Sequence, residues 1–348
     1  MTTVLSSTSS SNDRIPRGSW PQSWLLTVAI VGVLLGGWEI ALRLRGIEAS
    51  IEADREAWIL TRAKLRPGST VVTGSSRIQA VIEPGLWMRE VGGEPPIDLA
   101  LAGSTPLPVL EDLAADSSFH GLVLAEILPM YTFDLRSDGE TILQEHLKAY
   151  RDARSSPATR WEAWLRVYIL GHFAFRREAI LPKELIPKLL AGHFPLPPYN
   201  SMRPDRYHPV SWQRVGVRAN RPELLDTIVF RPTILETRPA RGAVLDSLFR
   251  RIQSSVERIQ RHGGHVVFLR FPACGGRRIL EEEYFPAATY WAPLRQLTTA
   301  PMIDLGDYPA VTSLHCYDGS HIDVSEVPPV EQLIAQQVKQ LVPAAVGP

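Results

Sequence analysis

Five short, almost uninterrupted apolar runs constrain this chain more than any other feature: STVVTG at 69–74, PIDLALA at 96–102, GLVLAEIL at 121–128, HVVFLRF at 265–271 and PMIDLGD at 301–307. A strand with one wet face alternates apolar and polar residues. Runs that stay apolar suit strands covered on both faces, which belong to parallel sheets flanked by helices. Helical patterns lie between the runs. The clearest covers 243–262, where Leu245, Leu248, Phe249, Ile252, Val256 and Ile259 keep helical spacing until His262-Gly263-Gly264 ends it. The expectation is an α/β fold, a doubly wound five-stranded parallel sheet, in one domain over 69–345. Between the third and fourth runs lies an insertion, about 135–242, rich in Trp, Arg and Pro, with helical stretches near 141–154, 158–178 and 182–192. It is too long for a plain crossover and is expected to form a cap over the carboxyl edge of the sheet.

The N-terminal fifth has a different grammar. No charge occurs from Gly18 to Trp38, and Trp24 to Gly37 is apolar almost throughout. About twenty residues at 1.5 Å rise cover the hydrocarbon of a bilayer, and Trp24 and Trp38 stand where interfacial aromatics belong. One transmembrane helix is expected over 21–45, after a Ser/Thr-rich disordered tail over 1–20 and before a charged juxtamembrane stalk over 46–68 that stops at Pro67-Gly68. A cleaved signal peptide fits less well, because no Ala-x-Ala site is present and Glu39, Arg43 and Arg45 follow the apolar core directly. Arg14 and Arg17 before the helix balance Arg43 and Arg45 after it, so charge does not assign the side of the membrane.

Lys plus Arg equals Asp plus Glu at 37 each, so no overall basic field exists to attract nucleic acid. The two cysteines, Cys274 and Cys316, have no metal-ligand spacing, which argues against a structural zinc; they are either one disulfide of an exported domain or two free thiols. No cofactor-binding motif is present.

The first run ends in Gly74-Ser75-Ser76-Arg77, a small-residue turn entering a helix. In open α/β sheets the site lies beyond the carboxyl ends of the strands, and a serine there meets the free amides of a helix N-terminus. Ser76 is the candidate nucleophile, although such a turn also serves as a plain helix cap. A seryl hydroxyl needs a base, and the base needs a carboxylate to fix its tautomer; Asp318 and His321 supply both, three residues apart in a Gly-containing turn. In isolation that pattern also fits a solvated loop in which Asp318 caps the helix near Ser325. Gly103, closing the second run, lets the main chain approach a substrate, so that its N–H can join that of Ser76 around an oxyanion. Arg77, Arg270 and Glu126 stand at strand ends as candidate substrate contacts, the arginines for a carboxylate or phosphate, with pairing to a neighbouring acid as the alternative. In the cap, Trp161, Trp164, Tyr168 and Trp212 could meet sugar rings, but the first three have helical spacing and read better as cap core. His172, His193, His208 and His315 have no motif context.

Gly-x-Ser after the first strand, a glycine after the second and DxxH near the C-terminus, in that order over roughly 70–322, resemble the landmarks of the SGNH (GDSL-like) hydrolases and acyltransferases. In this sequence they are Gly74-Ser75-Ser76, Gly103, and Asp318 with His321. The resemblance implies a serine esterase or O-acyltransferase with Ser76, His321 and Asp318 as triad. An anchor ahead of such a domain looks like bacterial envelope proteins that O-acetylate alginate or D-alanylate teichoic acids. That implies a single-pass inner-membrane protein with its main domain in the periplasm, a carbohydrate or acylated polymer as substrate, and membrane-complex partners. Two positions depart from the pattern. Ser75 replaces the GDS aspartate and is a minor rival nucleophile, and Glu126 stands where the family carries an oxyanion-binding Asn. Losing one oxyanion donor typically costs about a hundredfold or more in rate. The second expectation is therefore a catalytically inactive domain that binds glycan or a partner protein.

Overall fold

The computed structural model describes residues 19–51, 54–195, 197–212, 214, 237–314 and 316–345. The expected tail up to residue 18, cap residues 215–236 and His315 lie outside the described residues.

The five apolar runs are five strands: β1 (Thr70–Thr73), β2 (Ile97–Asp98), β3 (Leu122–Glu126), β4 (His265–Arg270) and β5 (Met302–Asp304). All pair in parallel, in the order β2-β1-β3-β4-β5. Register follows the apolar pattern, with Val71 opposite Val123, Val123 opposite Val266, and Leu124 opposite Val267. β2 is short as a ladder, yet the run continues extended: the amides of Leu99 and Leu101 donate to the carbonyls of Val72 and Gly74.

Helices in chain order are α1 (Trp20–Leu44), α2 (Asp54–Arg62), α3 (Ser76–Val81), α4 (Pro84–Val91), α5 (Leu107–Ala115), α6 (Pro129–Thr132), α7 (Gly139–Arg154), α8 (Pro157–His172), α9 (Pro182–Leu190), α10 (Gly242–Arg261), α11 (Gly275–Tyr284), α12 (Ala287–Leu297), α13 (Pro309–Thr312) and α14 (Val327–Leu341). The sheet divides the core in two because successive side chains of a strand point to opposite faces. Val71, Val123, Val266 and Phe268 pack on one side with the apolar stripes of α5 and α10. Val72, Leu124, Val267 and Leu269 pack on the other with residues of α3, α4 and α14. Each large aliphatic or aromatic side chain so buried contributes roughly 1.5–3 kcal/mol, which is why these strands hold no interior charge before their carboxyl ends.

α1 is long and apolar enough to cross a bilayer: 25 residues with a mean hydropathy of 2.1 over its best window. Leu42 is its one buried residue. The segment after it differs from the expected stalk. Among the described residues of 46–68 only Asp54–Arg62 is helical, and the apolar ones lie against the domain. Trp58 is fully buried and donates its indole N–H to the Leu99 carbonyl, 3.0 Å; Arg62 pairs with Asp112 at 2.8 Å; the Ile51 amide donates to the Met202 carbonyl. The reason is apolar: Ile47, Ile51, Ala57 and Trp58 would leave a free stalk with too much exposed hydrocarbon.

The cap helices α7, α8 and α9 appear, but α8 stops at His172, before the expected 178, and two short 3-10 turns follow. Trp161, Trp164 and Tyr168 are not cap core. They are 64%, 45% and 46% exposed and stack in series with His172, ring centroids 4.9, 5.4 and 4.3 Å apart. Helical spacing put them on one face, and that face points outward. In such a ladder the ring faces cover one another, which leaves little platform for a sugar.

Candidate active site

β1 and β3 are neighbours from which the chain departs in opposite directions along the sheet, and the crevice beyond their carboxyl ends is where open α/β sheets bind ligands. Gly74, just past β1, has φ +140, and a Cβ there would stand 2.6 Å from the Cβ of Glu126. Only glycine lets the turn pass so close to β3. Ser75 then caps α3: its Oγ accepts the Arg77 N–H at 3.3 Å and donates to Glu126 Oε2 at 2.8 Å, where the Ser75 amide also donates, 2.8 Å. Ser75 is fully buried. Ser76, one residue on, is the partly exposed position in the otherwise buried stretch 71–82.

Ser76 Oγ lies 2.8 Å from His321 Nε2, and His321 Nδ1 lies 2.6 Å from Asp318 Oδ2. A carboxylate only accepts, so Nδ1 carries the proton and Nε2 is left to accept from the Ser76 hydroxyl. The other Asp318 oxygen accepts the amides of Ser320 and His321, at 2.9 and 2.8 Å. Burial alone would raise the Asp318 carboxyl, but the His321 hydrogen bond, the imidazole charge and those two amides outweigh it and hold the group below its ordinary value. The acid that accepts from Ser325 is Asp323 and not Asp318; Asp318 holds its own turn with Oδ1 and turns Oδ2 to His321.

The loop is fixed from several sides. Cys316 is disulfide-bonded to Cys274 at the start of α11, and the Cys274 amide donates to the Gly319 carbonyl. Trp212 donates its indole N–H to the His321 carbonyl, 3.0 Å, and its amide to Asp323, 2.7 Å. Arg77 does the same from beneath. It is not a substrate contact: burial leaves it 2% exposed, and it donates to Ser320 Oγ and the Phe271 carbonyl, both 3.0 Å, and to the carboxylate of Glu281. Glu281 also receives Arg277 at 2.8 Å; burial would raise its carboxyl, and the two guanidinium groups hold it down instead.

Glu126 is likewise too deep to touch substrate, 1% exposed beneath the turn. Its carboxyl is raised by burial, against the Arg77 charge and the hydrogen bonds from Ser75 and the Ile78 amide. The side chain therefore braces the Ser75 side of the turn. Arg270 pairs with Asp304, 2.7 Å, and stands over the Trp291 ring; it lines a separate cavity of about 260 Å³ with Arg278, Glu281 and Phe285. Ser76, His321 and Asp318 do not line that cavity.

Gly103 has φ +75 in a turn pinned to the Gly74–Ser76 turn, since the Leu101 amide and Ser104 Oγ both donate to the Gly74 carbonyl, at 3.1 and 2.9 Å. Among the described residues neither the Ser76 amide nor the Gly103 amide has a hydrogen-bond partner. A groove of about 440 Å³ runs from Gly103 past Tyr131, Asp134 and Arg136. A smaller pocket of about 120 Å³ abuts His321, walled by Phe271, the disulfide, Leu314 and Ile322.

Several contributors give little sign in the sequence. Tyr199 stacks on Trp212 with centroids 5.2 Å apart, and Tyr317 leans on Trp212 at 5.6 Å, so an aromatic wall flanks the Asp318 loop. Burial and the Asp318 charge raise the Tyr199 hydroxyl. Tyr317 sits beside Asp318 in sequence, which is a signal of sorts; Tyr199 and Glu281 have none, being over a hundred and some forty residues away from it along the chain. No protein-family model matches the chain, and no curated protein does.

Proposed function

We propose that this chain is a membrane-anchored serine esterase or O-acyltransferase of SGNH type that acts on a cell-envelope carbohydrate or polymer. The relay from Ser76 Oγ to His321 Nε2 at 2.8 Å and from His321 Nδ1 to Asp318 at 2.6 Å is the observation that carries this reading. In the reaction, Ser76 attacks an ester carbonyl while His321 takes its proton, and the charge that then grows on the imidazole is stabilised by Asp318. The amides of Ser76 and Gly103 are the donors for the tetrahedral oxyanion. His321 returns the proton to the departing alkoxide, and the acyl-serine passes to water in an esterase or to a sugar hydroxyl in a transferase. No metal or organic cofactor enters these steps. Export to an oxidising compartment, the periplasm of a bacterium, is supported by the Cys274–Cys316 disulfide, a bond that persists outside reducing cytosol, and an apolar α1 then serves as the inner-membrane anchor.

A chromogenic aryl acetate offered to the full chain in detergent tests the proposal. Hydrolysis that disappears in Ser76→Ala, and product partitioning towards an added oligosaccharide acceptor, is the transferase outcome; hydrolysis indifferent to acceptor is the esterase outcome. A second reading, a non-catalytic glycan- or partner-binding domain, is favoured by one feature, the Glu126 that replaces an oxyanion donor. Glycan binding without any turnover would establish it.

A further inference from the structure

Residues 173–195 leave the end of α1 and come back to it. At the start, Glu39 accepts the amides of Ala174 and Phe175, at 3.0 and 3.1 Å, and Arg43 donates to the His172 carbonyl at 2.7 Å. Ala174 and Ile180 pack with Leu42 and Ile47. At the return, the Phe194 ring meets Trp38 edge-on at 6.3 Å and lies under the Arg45 guanidinium at 4.9 Å. Both ends of the excursion therefore rest on residues 38–47, where an apolar helix of this length would emerge from hydrocarbon into the headgroup layer.

α9 occupies the middle of that excursion. Nine residues make it roughly 14 Å long, so it stays close to the exit of α1. Its Leu185 is buried inward, whereas Ile186, Leu189 and Leu190 are 54%, 47% and 84% exposed. Together with exposed Pro182 they fall within an arc of about 100°. Glu184 and Lys188 lie on the other side, and Lys183, at the rim of the apolar arc, pairs with Glu178 at 3.2 Å. A short amphipathic helix thus turns its apolar side to the surroundings. On α1 itself, near where the excursion rests, Ile40 and Leu44 are likewise 59% and 84% exposed.

The geometry points to a lipid surface as the occupant: we propose that α9 lies in the headgroup layer of the membrane that α1 crosses, its Ile186, Leu189 and Leu190 face inserted, as a second point of attachment for the domain. This rests on the reading of α1 as a membrane span. Interfacial helices take this form, with an apolar face of modest size, a charged opposite side, and lysines at the rim whose stems follow the apolar surface while the heads stay wet. One spanning helix would let the domain swing; a second contact held by Glu39, Leu42 and Arg45 fixes its tilt and its height above the membrane.

No free cysteine occurs among the described residues, and both cysteines of the sequence are in the disulfide, so one introduced cysteine takes a maleimide fluorophore alone. The full chain is reconstituted in phosphatidylcholine vesicles containing lipid spin-labelled either near the headgroup or deep in the acyl chain, with the probe at Leu190→Cys, at Leu34→Cys within α1, or at exposed Arg258→Cys on α10. The expected result is quenching of the Leu190→Cys probe by spin-labelled lipid at least about twofold stronger than at Arg258→Cys, with weaker quenching by aqueous iodide. If Leu34→Cys is quenched by lipid and Leu190→Cys behaves like Arg258→Cys, α9 is outside the membrane and this proposal fails while the anchor stands. If Leu190→Cys is shielded from iodide but not quenched by lipid, a protein covers the face and the proposal also fails. If Leu34→Cys is itself unquenched by lipid, the anchor reading falls and takes the proposal with it.

Discussion

Adjacent serines at the end of β1 face opposite sides of one turn, and each has found an acid. Ser75 points inward to Glu126, whose carboxyl burial raises; Ser76 points outward to His321 and, through it, to Asp318, whose carboxyl is held low by the imidazole and two amides. The difference lies in what surrounds the acid. Glu126 accepts mainly from Ser75 in a closed interior, so its charge is costly there. Asp318 is offered an imidazole and two N–H groups in a partly buried loop, so its charge is welcome and can stabilise a second charge on His321. One pair holds the turn, and the other is arranged to move a proton.

If that division is correct, damage to the outer pair removes chemistry and leaves folding alone. Asp318→Asn keeps the shape but lets the wrong tautomer of His321 form, and esterase turnover is expected to fall roughly 10³–10⁴-fold, with thermal stability within about 1 kcal/mol of the parent. A loss below tenfold would show that Asp318 is not the orienting acid. The inner side should respond in the opposite way. Glu281→Gln leaves Arg77 and Arg277 buried without their common anion, and a loss of about 3–5 kcal/mol by urea unfolding is expected; an unchanged midpoint would contradict the role given to Arg77 beneath the site.

The disulfide belongs to the outer pair's support. Replacing Cys274 and Cys316 together by serine frees the loop at the α11 end, with an expected cost of about 2–4 kcal/mol and an activity loss that exceeds what unfolding explains. Activity untouched at full occupancy of the folded state would mean that Trp212 and Arg77 suffice to hold His321. The smallest effect is the most discriminating for the inner pair. A buried acid whose carboxyl is raised in the fold costs stability progressively as pH climbs past the ordinary glutamate value, since the unfolded chain then loses its proton first. Glu126→Gln is therefore expected to stay within about 1 kcal/mol of the parent in acid, and to be the more stable protein on the alkaline side of that window, as read by thermal melts across pH. A deficit that grows as pH rises would show instead that the carboxylate form is needed.

Much of this was legible beforehand, for reasons that also explain what was not. Strands covered on both faces must be apolar throughout, so all five runs marked strands, and α10 declared itself by its stripe. Ser76 and Gly103 follow strand ends, Asp318 and His321 share a Gly-containing turn between α13 and α14, and short-range spacing made each a candidate. What spacing does not carry is direction. The stripe of Trp161, Trp164 and Tyr168 shows that three rings share a face, not that the face points out, and Ile47, Ile51 and Trp58 in a charged context conceal a segment that lies on the domain. Nor does it carry partnership across long separations: Arg77 reaches Glu281 only because the sheet sets β4, and α11 after it, on the far side of β3 from β1, which turns a supposed substrate contact into a buried brace.

The central claim is that, of the two neighbouring hydroxyls, the outer one is the nucleophile and is made so by His321. It is tested most directly by treating the full chain with a fluorophosphonate and mapping the adduct by peptide mass spectrometry. The account predicts a single phosphonylated residue, Ser76, labelled as fast in Glu126→Gln as in the parent and unlabelled in His321→Ala. An adduct on Ser75, or labelling of Ser76 that persists without His321, would contradict it.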